Sequence, residues 1–344
     1  RSMNAPTTVL ARVLATALSV AAPMFASALA GAQSDEKPVW NDLSVIQQGR
    51  EAPRAFAFPF DDRAGAIRGA GAGGHYESPN VRLLNGDWDF YFAETPNRVP
   101  RGFTDARFEP SRGGWTTIPV PGNIELHGFG YPNYTNIKYH FTPATPPEVP
   151  ADQNWVGCYR RSFEIPADWR GREIFLRFEG AGSAIEVWVN GQRAGYNEGG
   201  RASAEFDITD LVRRGSNVVA VKTYRLSNGA YLEDQDFWRL SGLYRDVLVW
   251  STPRVHIRDF GVRTDLSADG SSADLWVEMT GTQYGDHQAA DGGNRPDVTL
   301  ELLDPSGASV AKKTLERVPF TVGQPSRVHT EMRIEDPLAW TAET

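Results

Sequence analysis

Between residues 76 and 251 the apolar and aromatic side chains come in short runs bounded by turn formers, and no stretch sustains a helical repeat. The runs Trp88–Phe92, Ile174–Phe178, Ile185–Val189, Val218–Lys222 and Asp246–Trp250 predict strands. Asn190-Gly191 closes the third of them, and because this pair reaches positive φ cheaply it predicts a hairpin turn. Asn123–His127 and Ile208–Val212 each predict one or two helical turns. After the break at Thr252-Pro253 a second set begins, with Val255–Val262, Ala273–Met279, Val298–Leu303 and Arg327–Ile334. The pattern is that of an all-β protein. It predicts a jelly-roll β-sandwich over residues 76–251 and an immunoglobulin-like β-sandwich over 252–344. The second region is shorter than the ~100 residues such a sandwich needs, so it reads as truncated.

The two ends of this frame differ from its middle. Residues 33–75 lack periodicity and read as an extended arm, with Pro38, Pro53, Pro59 and the aromatics Trp40, Phe56, Phe58 and Phe60. The arm ends in a Gly-rich linker, Gly69 to Gly74. Before it, Arg12, an apolar run from Val13 to Ala22 and small residues up to Ala30-Gly31-Ala32 read as a secretory signal peptide over 1–32. The competing reading is a membrane anchor, which the alanines and Pro23 make a weak one. Export places the mature protein in the periplasm or outside the cell, with no membrane attachment after cleavage.

Composition narrows the function classes. The 344 residues carry a formal charge of −8, which provides no basic face for neutralising phosphates and so argues against a nucleic-acid partner. One cysteine, Cys158, rules out an intrachain disulfide framework and a multi-cysteine zinc site. Ten Trp, 11 Tyr and 17 Phe with 33 Gly and 23 Pro reinforce the β reading. No Gly-rich nucleotide fingerprint, P-loop, zinc-protease motif or nucleophile elbow occurs, and the six histidines show no metal-ligand spacing.

Two polar clusters remain. Glu233-Asp234-Gln235-Asp236 runs into Phe237-Trp238-Arg239. It is either a solvated acidic turn or a pocket lining in which Asp236 meets a cation or sugar hydroxyls and Trp238 offers a stacking face. Tyr131 to Tyr139 mixes amides with tyrosines and suits a sugar site or a surface loop equally.

Longer strings then carry a resemblance. These are Leu84-Asn85-Gly86-Asp87-Trp88, Val120-Pro121-Gly122-Asn123, His127-Gly128, Tyr134-Thr135-Asn136 and Val156 to Arg161. Further on come Val187-Trp188-Val189-Asn190-Gly191, Glu205-Phe206-Asp207-Ile208 and Tyr231 to Asp236, with Trp238 to Val247 behind it. Residues 38–344 resemble the N-terminal part of the large β-galactosidases of glycoside hydrolase family 2.

The resemblance implies a sugar-binding jelly roll, an immunoglobulin-like domain and a catalytic TIM barrel absent from these residues. The barrel would supply both catalytic glutamates, the Mg²⁺ ligands and most of the galactose pocket, so no catalytic residue is assigned here. Asn136 corresponds to a galactose-contacting asparagine. Asp236 corresponds to the aspartate at the galactose 6-hydroxyl that also binds Na⁺. Glu233 and Asp234 would support the loop. Ile124 and Glu125 depart from the family's usual Trp-Gln, and Ser227-Asn228-Gly229-Ala230 from its S-D-G-S, which bears on loop packing. Retaining hydrolysis needs two carboxyl groups ~5–5.5 Å apart across the bond, a span that Asp234 and Asp236 on one loop do not offer. The implied protein is an exported β-galactosidase, homo-oligomeric at full length, acting on β-galactosides, its N-terminal part inactive alone. A free-standing lectin-like module is the alternative, and the N-terminal part of a β-glucuronidase or β-mannosidase a third.

Overall fold

The computed structural model describes residues 37–70, 73–110, 113–136, 138–233, 235–285, 295–323, 325–340 and 342. The expected signal peptide over 1–32 lies outside them. Within Pro38–Thr344 the chain forms one compact unit. It is all-β, and every named strand pairing is antiparallel.

Two sheets enclose the main core. The larger has seven strands in the order Gln47–Gln48, Gln192–Glu198, Ala184–Val189, Gly215–Tyr224, Val156–Ile165, Gly86–Ala93 and Thr116–Val120. The smaller has four, in the order Ala204–Asp207, Glu173–Phe178, Val247–Thr252 and Val81–Leu83. Trp88, Phe90, Ile118, Tyr159, Leu176, Val187, Phe206, Val221 and Val249 fill the space between them. Each of the five strand runs read from the pattern falls on one of these strands, the last beginning at Val247 rather than Asp246. The Asn190-Gly191 turn takes φ of 52° and 86°, as a two-residue hairpin turn requires.

One central strand breaks the hydrophobic rule. Val156–Ile165 contains Arg160, Arg161 and Ser162 and still lies in the middle of the large sheet. Arg160 is buried because its guanidinium donates to the carbonyls of Phe103, Asp105 and Phe108, so the neighbouring loop satisfies its donors. Such a strand is invisible to an apolar count. The arm also carries more structure than an extended chain. Gln47–Gln48 pairs with Asn197 and Tyr196 at the edge of the large sheet, and Arg63–Arg68 is a short helix capped by Asp62.

The smaller sheet holds a buried ionic cluster centred on Glu205. Arg54 of the arm reaches its carboxylate with two hydrogen bonds, at 3.1 and 3.0 Å. Arg258 pairs with it at 2.8 Å and Arg177 at 3.4 Å, while Trp250 Nε1 donates at 2.8 Å. Arm, small sheet and the following strand are thus tied at one carboxylate.

Beyond Thr252 stands a three-stranded sheet of Val255–Leu266, Ser272–Gln283 and Ser326–Glu335, with a hairpin of Val298–Leu303 and Ser309–Leu315. Leu275, Val277, Met279, Val298, Phe320, Met332 and Ile334 form a separate small core. All four runs predicted for this region are strands.

Candidate functional site

The two polar clusters, about a hundred residues apart in the chain, meet in a two-stranded ladder. Asn133–Thr135 pairs with Phe237–Arg239, with Thr135 opposite Phe237 and Arg239 opposite Asn133. One step further along the two chains stand Asn136 and Asp236, the two residues singled out for sugar contact. Both are exposed. Asp234 lies outside the described residues.

Around them the chemistry suits a hydroxyl-rich ligand. The Tyr134 hydroxyl donates to Asp236 Oδ1 at 2.5 Å, and Asp236 Oδ2 meets no donor among the described residues. The Tyr134 and Trp238 rings lie side by side, centroids 5.7 Å apart, and are 51% and 57% exposed. An open carboxylate oxygen beside two open aromatic faces can accept a hydroxyl proton while a ring stacks on the apolar face of a pyranose. The hydrogen bond to Asp236, then desolvation and then the carboxylate's charge hold the Tyr134 phenol above its ordinary pKa of 10.0, because each favours the protonated phenol. Asp236→Ala, which removes both the acceptor and the charge, should therefore bring that phenol back toward 10.0 in a spectrophotometric titration; an unchanged titration would show that the two side chains do not interact.

What holds the ladder in place is Arg239, buried under it. Its guanidinium donates to the carbonyls of Glu233 at 2.7 Å, Gln235 at 2.6 Å and Thr135 at 3.4 Å. One planar cation thus grips both segments that carry the site. Nothing in the pattern of the chain singled out Arg239 or the Tyr134 hydroxyl; the available signal was an arginine closing the Phe-Trp-Arg run beside three acids. Glu233 turns inward and accepts from Ser183 Oγ and the Gly200 amide, both at 3.0 Å, which is the loop-supporting part expected of it. Burial raises its pKa, against the pull of those donors.

The departures at 124 and 125 are absorbed. Ile124 is fully buried, and the Glu125 carboxylate accepts from the Ser241 amide at 2.8 Å and its hydroxyl at 2.5 Å. This ties the Asn123–His127 turn to the segment that follows the ladder. Asn228 donates to the Pro147 carbonyl at 2.5 Å and, more weakly at 3.5 Å, to Asn41 of the arm.

The profile of the "Glycosyl hydrolases family 2, sugar binding domain" matches residues 81–253, half of the chain. The chain belongs to glycosyl hydrolase family 2. Both site residues lie in the matched span. A β-galactosidase of Priestia megaterium is 34% identical over 313 residues, covering 89% of this chain and 29% of that protein. A β-galactosidase of Yersinia pestis is 38% identical over 276 residues, covering 77% and 25%. This family 2 chain therefore spans between a quarter and three-tenths of the length of these relatives. Among solved structures, β-glucuronidase 2 of Bacteroides uniformis superposes with a TM-score of 0.57 at 22% identity, over 76% of this chain and 28% of that one. The β-glucuronidase of Bifidobacterium dentium does so with 0.53 at 23%, over 74% and 42%. These two likenesses describe the fold.

Na⁺, the ion that the resemblance implies, prefers oxygen ligands, by analogy with other hard cations. Asp236 fits it in part, with one open anionic oxygen whose neighbour is already held by Tyr134. Among the described residues no group of three His, Cys, Asp or Glu surrounds a common point.

Proposed function

We propose that this chain is the N-terminal part of an exported β-galactosidase that removes terminal β-D-galactose with retention, and that it lends Asn136 and Asp236 to the sugar site. The observation that carries the reading is the ladder that sets these two residues side by side, next to the open faces of Tyr134 and Trp238. The two β-galactosidases at 34% and 38% identity support the choice of galactose over other sugars. Asp236 accepts a galactose hydroxyl and carries Na⁺, which offsets the carboxylate's charge where sugar oxygens approach. Asn136 both donates and accepts, which suits a hydroxyl pair. Trp238 and Tyr134 exclude water from one side of the ring.

The hydrolytic pair and the Mg²⁺ site are assigned to residues outside this chain, since acid and nucleophile must flank the bond ~5–5.5 Å apart. The reading predicts that the 344-residue chain alone leaves aryl β-galactosides unhydrolysed, and that the complete protein, a homo-oligomer, cleaves them in preference to aryl β-glucuronides. Side-by-side assays on both substrates check it. Turnover by the isolated chain, or a preference for glucuronide in the complete protein, would overturn it.

A further inference from the structure

The ladder of Asn133–Thr135 and Phe237–Arg239 is a two-stranded sheet separate from both sheets of the sandwich. An isolated pair of strands is marginal in water, so its place must be fixed by side chains packed beneath it. Successive side chains of a strand point to opposite faces, so Phe237 and Arg239 share the face opposite to Trp238. Trp238 is exposed, Phe237 half-buried and Arg239 buried. Two guanidiniums stand over the Phe237 ring. That of Arg239 is 4.5 Å from the ring centroid and that of Arg201 is 4.1 Å from it. Both lie well inside the ~6 Å over which a cation is attracted to the negative face of an aromatic ring. Arg201 belongs to the sandwich and not to the ladder. It follows Gly200, whose amide donates to Glu233 Oε1 at 3.0 Å. The Gly200 carbonyl accepts from the Ala181 amide at 3.1 Å and from the Tyr244 hydroxyl at 2.5 Å. The Arg201 side chain thus reaches the ladder from a fixed point of the main body.

We propose that Phe237 is a positioning residue: its ring, held by Arg201 and Arg239, fixes the strand next to Asp236 and with it the geometry of the sugar site. The rung that Phe237 forms with Thr135 adjoins Asn136 and Asp236, so a displaced ring moves both. What the arrangement needs at 237 is a negative ring face. An aliphatic side chain of similar volume fills the same space without attracting either cation. Loosening this hold leaves a fraction of molecules with the ladder out of place. That fraction does not bind sugar, so apparent affinity falls while the chemical step of bound substrate is unchanged. Phe237 therefore acts on KM rather than on kcat. Its service to sugar binding rests on Asn136 and Asp236 being sugar contacts; its hold on the ladder does not.

Two readouts test these two statements separately. In the 344-residue chain the Tyr134 phenol, held by its hydrogen bond to Asp236, reports the ladder without any sugar. Its ¹³Cζ resonance is followed against pH, with Tyr134→Phe as the assignment control. Putting 3,4,5-trifluorophenylalanine at 237 keeps the ring but drains its face of negative charge. This should bring the phenol part of the way back toward 10.0. Arg201→Gln should do the same, and because Arg201 is exposed the change spares the core. In the complete protein each variant should raise KM for an aryl β-galactoside roughly three- to tenfold at unchanged kcat, the scale of one cation–π contact. Arg201→Lys, which keeps a cation, should recover most of the wild-type value. In a Phe237→Leu background Arg201→Gln should add nothing, because its target is gone. A phenol unmoved in both single variants, or an equal effect of Arg201→Gln with and without Phe237→Leu, would overturn the hold on the ladder. A phenol that moves while KM does not would uphold that hold and remove Asn136 and Asp236 from the sugar site.

Discussion

Replacing Asp236 by alanine in the complete protein should lower aryl β-galactoside turnover by about one to two decades, the scale of one lost charge-assisted hydrogen bond of ~1.5–3 kcal/mol. The same change should remove the sodium dependence, because among the described residues no other carboxylate oxygen stands at this point of the ladder. Asp236→Asn separates the two contributions. An amide oxygen still accepts from the Tyr134 hydroxyl and from sugar, but it lacks the charge that retains a cation. This variant should keep part of its turnover while losing its response to sodium. Wild-type turnover and sodium response in both variants would make Asp236 an ordinary loop residue and remove the basis of the site.

The second large effect concerns stability. Glu205→Gln should destabilise the chain by about 3–5 kcal/mol in urea unfolding, the usual cost of removing one partner from a buried ion pair. Three guanidiniums, those of Arg54, Arg177 and Arg258, would then share a buried site with no central charge. Burial by itself would raise the Glu205 pKa; the charges and hydrogen bonds of Arg54, Arg258 and Arg177 outweigh it and draw the value to about 2, from 4.5. A carboxyl whose folded pKa is depressed contributes its stability above the unfolded value and loses it as pH falls toward the folded one. The Glu205 contribution is therefore complete above pH 4.5 and lost between there and pH 2. Glu51, Glu125, Glu173, Glu198 and Glu233 have raised pKa values and act in the opposite sense. The comparison that isolates Glu205 is wild type against Glu205→Gln: the stability gap should narrow steadily from pH 4.5 downward. A gap below about 1 kcal/mol at neutral pH, the range of exposed pairs, would mean that the cluster is effectively solvated.

The cluster also shows how the arm is held. Residues 38–75 have no period from which to predict contacts, yet Arg54 is inserted between the Glu205 carboxylate and the Trp250 ring, 4.2 Å from the ring centroid. The packing of an irregular segment is written in single side chains whose partners lie far along the chain. Hydrophobic pattern carries no information about such pairs.

The sequence by itself determined the fold class, the strand runs at 88–92, 174–178, 185–189, 218–222 and 246–250, and the family. Strand patterning and an Asn-Gly turn are local physics, since burial of one apolar face and the sign of φ are decided within a few residues. Asn136 and Asp236 were singled out only through long family strings, because each small cluster alone read equally well as a solvated loop. Only the tertiary structure decided that the two clusters form one ladder. It decided as well that Tyr134 holds Asp236 and that Arg239 grips both segments from below. Val156–Ile165 needed it too, since Arg160 is tolerated inside the sheet only because three loop carbonyls take its donors. In each case the deciding term is a hydrogen bond or charge pair between residues some fifty to a hundred positions apart. Such terms depend on where the fold delivers the partner, and no window along the chain contains both ends.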